Sequence, residues 1–193
     1  MTIVKKDGQR MKTSSTYSWD EYFIDISKVV AKKSKDPSTK CGTTIVAQDN
    51  HILSTGYNGL PAKCKETEER FKRPKKYLYF EHSERNAIYY AAKHGVILEN
   101  SKAYITGPPC CDCARGLIAV GTKEVIIPRA HNMAGRTDWA DSVNAGIQLM
   151  REAHVNYRFK ECGDLQNDLV DMCGCGCASF DLCGVLGCPH HEK

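Results

Sequence analysis

The sequence predicts an α/β fold, a three-layer α-β-α sandwich built on a five-stranded mixed sheet. Two observations carry this. Segments of helical periodicity alternate with short β-branched runs in the order α-β-β-α-β-α-β-α-β, and that alternation calls for a sheet with helices on both faces. The chain also has 193 residues, 41% hydrophobic and 26% charged, a globular composition rather than a disordered or collagen-like one. Its length suffices to bury about two-thirds of the unfolded surface.

The elements follow in chain order. Residues 1–17 read as a loose arm of charged and hydroxyl residues. Ser18-Trp19-Asp20-Glu21 is a capping box, a hydroxyl followed three places on by a carboxylate. Trp19, Tyr22, Phe23, Ile26, Val29 and Val30 then recur at helical spacing until Asp36-Pro37. Residues 43–47 and 52–56 are β-branched runs around the polar turn 48–51, which predicts a hairpin. Residues 57–80 lack periodicity, and the charge run Lys72-Arg73-Pro74-Lys75-Lys76 reads as a solvated loop. A second helix is predicted from His82 to Lys93, stopped by Gly95. Residues 103–106 form a strand, and a third helix runs from Cys113 to about Ala119, closed by Gly121. A strand over 124–127, a helix over 138–153 and a last strand over 155–159 complete the pattern. The segment 162–193 is rich in Cys and Gly and poor in periodicity. The predicted organisation is therefore an arm at 1–17, a domain at 18–161 and a tail at 162–193.

Charge and cysteine usage narrow the setting. Lys and Arg number 27 against 23 Asp and Glu, a net +4, too weak a surplus to mark a nucleic-acid binder by itself. No apolar run approaches the roughly 18 residues of a membrane span. The polar start MTIVKKDGQRMKTSS lacks the apolar core of a signal peptide. The expectation is a cytoplasmic protein. There are 11 cysteines, six of them (Cys162, Cys173, Cys175, Cys177, Cys183, Cys188) in the tail. An odd, clustered set in a reducing compartment points to thiolate metal ligands rather than disulfides.

The chemistry-bearing motif is His82-Ser83-Glu84, then 24 residues, then Pro109-Cys110-Cys111-Asp112-Cys113. A neutral imidazole and two thiolates are good zinc ligands. Cys110 and Cys113, three apart at a helix start, bring two sulfurs near one point, where the helix dipole favours thiolate. Three protein ligands leave a fourth tetrahedral position for water, the arrangement of catalytic rather than structural zinc. Water held there ionises near pH ~7. Glu84, two residues beyond His82, can take its proton and pass it to a ring nitrogen and then to a leaving amine. Either half alone is uninformative: Cys-x-x-Cys also occurs in structural zinc knuckles and redox pairs. The conjunction His-x-Glu…Pro-Cys-x-x-Cys is the signature of zinc deaminases.

At these residues the sequence resembles the deoxycytidylate (dCMP) deaminase family, within the cytidine-deaminase-like fold. The resemblance is carried by residues 34–42 (SKDPSTKCG), 54–61 (STGYNGLP), 77–88 (YLYFEHSERNAI) and 104–113 (YITGPPCCDC), and it spans about residues 18–160. It implies His82, Cys110 and Cys113 as zinc ligands, Glu84 as proton shuttle and Asn58 as a contact to the substrate sugar. Lys40 or a neighbouring hydroxyl would be the candidate for the 5′-phosphate, beside the plain reading of Lys40 as a surface lysine. It further implies a homo-oligomer, commonly a hexamer, activated by dCTP and inhibited by dTTP. The chain departs from the family at several places. Ser83 stands where Ala is usual, with little expected effect. Arg85 would add charge at the pocket rim. Gly107-Pro108 would reshape the pocket, and His154 occupies a helix-to-strand position where Gly is usual.

The implied function is zinc-dependent deamination of dCMP to dUMP and ammonia, supplying dUMP for thymidylate synthesis. Three alternatives stand beside it. The substrate could be dCTP or a 5-modified dCMP. It could be cytosine in a polynucleotide, which would want a basic, aromatic-lined channel; a charge of +4 and 8% aromatics speak against that, and no stable nucleic-acid partner is expected. The chain could also be a non-catalytic zinc-binding module, for which Glu84 would have no use. In the tail, Cys173, Cys175 and Cys177 with Cys183, Cys188, His190 and His191 could close around a second, structural zinc; free thiols are the plainer reading.

Overall fold

The structure is a computed structural model and describes residues 17–128 and 137–160. Five strands form one mixed sheet: β1 (Gly42–Val46), β2 (Ile52–Tyr57), β3 (Lys102–Ile105), β4 (Glu124–Pro128) and β5 (Asn156–Lys160), in the order β2-β1-β3-β4-β5. β1 pairs antiparallel with both β2 and β3, whereas β3-β4 and β4-β5 are parallel. The longer helices are α1 (Trp19–Ala31), α3 (Ser83–Lys93), α4 (Cys111–Ala119) and α5 (Thr137–Glu152).

Strand alternation sorts the core into two layers. Ile45, Ala103, Ile105, Val125 and Ile127 face one way and pack with Ala87, Ile88, Leu117, Val143, Ile147 and Met150 from α3, α4 and α5. Val46, Tyr104 and Ile126 face the other way and pack with Phe23 and Ile24 of α1. The predicted three-layer α-β-α sandwich is therefore the observed one, and every predicted element is present, its bounds within a residue or two except at the end of α1. Among the described residues, no helix is long and apolar enough to cross a membrane. The arm before residue 17 and the tail 162–193, with its proposed second zinc site, lie outside the described residues.

Two differences concern α1. The Ser18 capping box forms as predicted, but the helix ends at Ala31, well before Asp36-Pro37. The chain leaves it so that Ser34 can donate to the Asn58 carbonyl (2.8 Å) and Asp36 can turn inward. The buried face is Phe23, Ile24, Ser27 and Ala31, while Trp19, Tyr22 and Val29 are exposed. Ser27 tolerates burial because its hydroxyl reaches Phe23 O, Thr44 Oγ1 and the Tyr104 carbonyl, all within 3.0 Å.

A third difference lies in 57–80, which holds a short helix, α2 (Glu68–Phe71), and a 3-10 turn (Lys75–Leu78). Four residues are too few to show a period. His154 does adopt a left-handed conformation (φ +56°), as its position between α5 and β5 requires.

Two close approaches set the helices on the sheet. A Cβ on Gly42 would stand 2.1 Å from the Ser27 carbonyl oxygen of α1, and one on Gly56 would stand 2.2 Å from the Ser83 carbonyl oxygen of α3. Both glycines let a helix backbone rest directly on a strand. At Gly56 the part resting there is the first turn of α3, which carries the His-x-Glu motif.

Candidate metal and catalytic site

His82 and Cys110 occupy the N-cap positions of α3 and α4, each in extended conformation and neither making a side-chain cap. Glu84 and Cys113 follow within the first turns. The two helix starts converge. His82 Nδ1 lies 3.4 Å from both Cys110 Sγ and Cys113 Sγ, and the three donor atoms lie within 4.8 Å of one another.

These residues fit a zinc ion. With Zn–S of about 2.3 Å and Zn–N of about 2.0–2.1 Å, a tetrahedral angle sets the S···N separation near ~3.5 Å. The electrostatics agree. Cys110 is held down to about 4 by the hydrogen bond from Cys113 and by His82, against the upward push of burial. Cys113 is pushed up by its bond to Cys110 and by burial. Contact with the Cys110 sulfur holds the His82 imidazole above its ordinary value, against burial. An imidazole and two sulfurs packed this closely are a donor set that a divalent cation would satisfy, thiol protons being released as it binds.

Glu84 is buried and lines the adjoining cavity, of about 210 Å³. Burial pushes its carboxyl above the usual carboxylate range, against the pull of His82 and of the Ser83 hydroxyl. A carboxyl held above its usual range is a better proton acceptor than an exposed one. Ser83 Oγ donates to Glu84 Oε2 at 2.8 Å.

Asn58 lines the same cavity with its side chain held on three sides. Its Nδ2 donates to Thr39 O (2.9 Å) and Asp36 Oδ2 (3.2 Å), and its Oδ1 accepts from the Cys41 N–H at 2.8 Å. The amide is thus fixed in orientation, and Oδ1 keeps a second lone pair.

Two expectations about the surroundings change, those for Lys76 and Arg85. Lys76, read as part of a solvated charge run, is buried: its side chain is 4% exposed and pairs with Asp36, itself 3% exposed. Lys76 Nζ donates to both Asp36 oxygens (3.0 and 2.7 Å) and to Ser38 Oγ (2.5 Å). Burial pushes the Asp36 carboxyl up, but these bonds and the lysine charge outweigh it and hold it below its ordinary value. Arg85 adds no unspent charge at the rim, because it pairs with Glu81 at 2.5 Å and Asp112 at 3.5 Å. Lys40 is exposed, while its neighbours Thr39 and Cys41 line the cavity. Gly107 and Pro108 do line it, as their place before Pro109 led us to expect.

Sequence reasoning passed over Trp139, whose ring meets His82 edge-on at 6.0 Å between centroids and forms part of the cavity wall. Its only signal was an aromatic at the start of a helix, which is common in cores.

A protein-family model, the cytidine and deoxycytidylate deaminase zinc-binding region, matches residues 17–128. The chain is 32% identical over 153 residues to deoxycytidylate deaminase of Homo sapiens, covering 76% of this chain and 82% of the human one. It is 34% identical over 134 residues to a probable deoxycytidylate deaminase of Drosophila melanogaster, covering 64% and 65%. Among solved structures, dCMP deaminase from the cyanophage S-TIM5, in complex with dCMP and dUMP, superposes with a TM-score of 0.60 at 23% identity, over 76% of this chain and 100% of that one. At that identity the likeness speaks for the fold.

Proposed function

The chain belongs to the cytidine and deoxycytidylate deaminase family, and from that premise we propose that it hydrolyses dCMP to dUMP and ammonia, supplying dUMP for thymidylate synthesis. The observation that carries the proposal is the convergence of His82, Cys110 and Cys113 beside a buried, hydroxyl-held Glu84 on one cavity. His82, Cys110 and Cys113 would hold zinc, which would supply an activated water at neutral pH.

The chain's own residues do the rest. Glu84 takes a proton from the attacking water and delivers it to the ring nitrogen N3. It then carries the second proton to the departing amine as the C4–O bond replaces the C4–N bond. Asn58, its amide fixed by Thr39 and Cys41, offers Oδ1 to a sugar hydroxyl. Trp139 and Phe80 supply apolar wall against the base.

The same reading extends to the domain at 18–161, a cytoplasmic location, homo-oligomeric assembly up to a hexamer, and control by dCTP as activator and dTTP as inhibitor. Exposed Trp19, Tyr22 and Val29 on α1 support an assembly surface.

The experiment is a substrate panel of dCMP, dCTP, cytidine and a cytosine-bearing oligonucleotide, read by ammonia release and absorbance, with and without dCTP and dTTP. Turnover of dCMP above the others is the expected result. Turnover of the oligonucleotide alone would overturn the substrate. Sedimentation of the purified chain reads the assembly state.

A further inference from the structure

Ser83 is fully buried at the first position of α3, and its hydroxyl sits in a file of three side chains. Thr43 Oγ1 of β1 is 2.9 Å from Ser83 Oγ, which is 2.8 Å from Glu84 Oε2. The file has one direction while the carboxylate is ionised: Glu84 accepts from Ser83, and Ser83 accepts from Thr43. Thr43 is itself fully buried, on a strand paired on both sides, so the far end of the file is anchored in the middle of the sheet.

The consequence follows from the torsion that the file controls. The terminal torsion of a glutamate is broad and weakly restrained by its own sterics. A carboxylate that must accept a proton from one atom and return it to two others needs its plane set before the substrate arrives. We propose that Ser83 is a positioning residue for the deamination, its hydroxyl, oriented by Thr43, holding Glu84 Oε2 so that the carboxylate meets the cavity in one orientation. This gives Ser83 a larger part than the little effect expected of a Ser where Ala is usual. It rests on the shuttle role proposed for Glu84, and the test separates the two.

Ser83→Ala, Ser83→Cys, Thr43→Val and Glu84→Gln are made in the full chain and assayed on dCMP for single-turnover rate, KM, zinc content and Tm. Ser83→Ala is expected to lower the rate about tenfold, the scale of one hydrogen bond to a charged group, with KM within twofold and zinc unchanged. Thr43→Val keeps the Ser83 hydroxyl but frees its orientation, and is expected to lower the rate about threefold. Ser83→Cys, which retains a weak donor, should recover part of the loss. A merely structural role would lower Tm and leave the rate of the folded enzyme and its recovery by cysteine unmoved, which overturns the proposal. If Ser83→Ala fails to fold, Thr43→Val decides: an unchanged rate overturns the proposal. If Glu84→Gln is inactive while Ser83→Ala and Thr43→Val keep the full rate, the positioning role falls and the shuttle stands. If Glu84→Gln keeps the full rate, the shuttle falls and the positioning role with it.

Discussion

Asp36 and Lys76 line the same cavity as Glu84 and His82; all four are ionisable, and all but the half-buried His82 are buried. They are satisfied in different ways. Asp36 accepts from Lys76, from the Ser38 N–H and hydroxyl, and from Asn58, while Lys76 spends donors on Asp36 and Ser38. The pair closes on itself and ties the loop after α1 to the 3-10 turn. Around Glu84, among the described residues, the protein supplies one side-chain donor, Ser83, and beside it gathers an imidazole and two sulfurs whose polar side-chain contacts are with one another. The first cluster is saturated, whereas the second holds coordinating capacity in reserve. Burial of charge therefore does not mark the reactive site here; unspent ligand and proton capacity does.

The largest expected effect breaks the second cluster at Glu84, the proposed proton carrier. Glu84→Gln should lower kcat on dCMP by about 10²–10⁴-fold, the usual scale for a general acid–base group, while metal analysis finds zinc unchanged. A loss of zinc in that variant would merge the two roles that the comparison separates. Next, Lys76→Met should destabilise the protein by about 3–5 kcal/mol, because it leaves a buried carboxylate unpaired. Denaturant titration would show the loss, and the double variant with Asp36→Leu should recover most of it. Gly56→Ala tests whether the helix start must touch the strand. Its Cβ would meet the Ser83 carbonyl at 2.2 Å, and we expect a cost of about 1–3 kcal/mol, read in Tm, together with a fall in kcat.

The smallest effect is one of pH. Asp36 has a folded pKa below its unfolded value of about 3.9, so its contribution to stability is present above that value and is lost as pH falls through the folded one. Denaturation midpoints followed from about pH 5 to pH 2 should drop more steeply for the parent than for Asp36→Asn. Equal slopes would show that the pair adds no pH-dependent stability.

The two clusters were unequally legible in the sequence. His82, Glu84, Cys110 and Cys113 announce themselves through fixed spacing at two helix starts, where local geometry nearly dictates convergence. The capping box at Ser18 and the left-handed turn at His154 were readable for the same local reason. Lys76 was not, since nothing within Lys72-Arg73-Pro74-Lys75-Lys76 distinguishes the lysine that finds a carboxylate 40 positions away. Asp36 likewise looked like the end of a helix, because its partner is tertiary. Ile24 was missed where the apolar stripe was traced through Trp19 and Tyr22, and Trp139 belongs to a wall that only the packed fold assembles. The contacts of Ser83 could not be read either, since its hydroxyl bonds Thr43 of β1, 40 positions away.

Gly56 carries a last consequence. Where strand and helix meet through side chains, a rotamer change can absorb a small displacement. At Gly56 the strand meets the Ser83 carbonyl with no cushion between them. The β1–β2 hairpin and the first turn of α3 are therefore seated backbone on backbone, and the aim of Glu84 depends on where that strand lies.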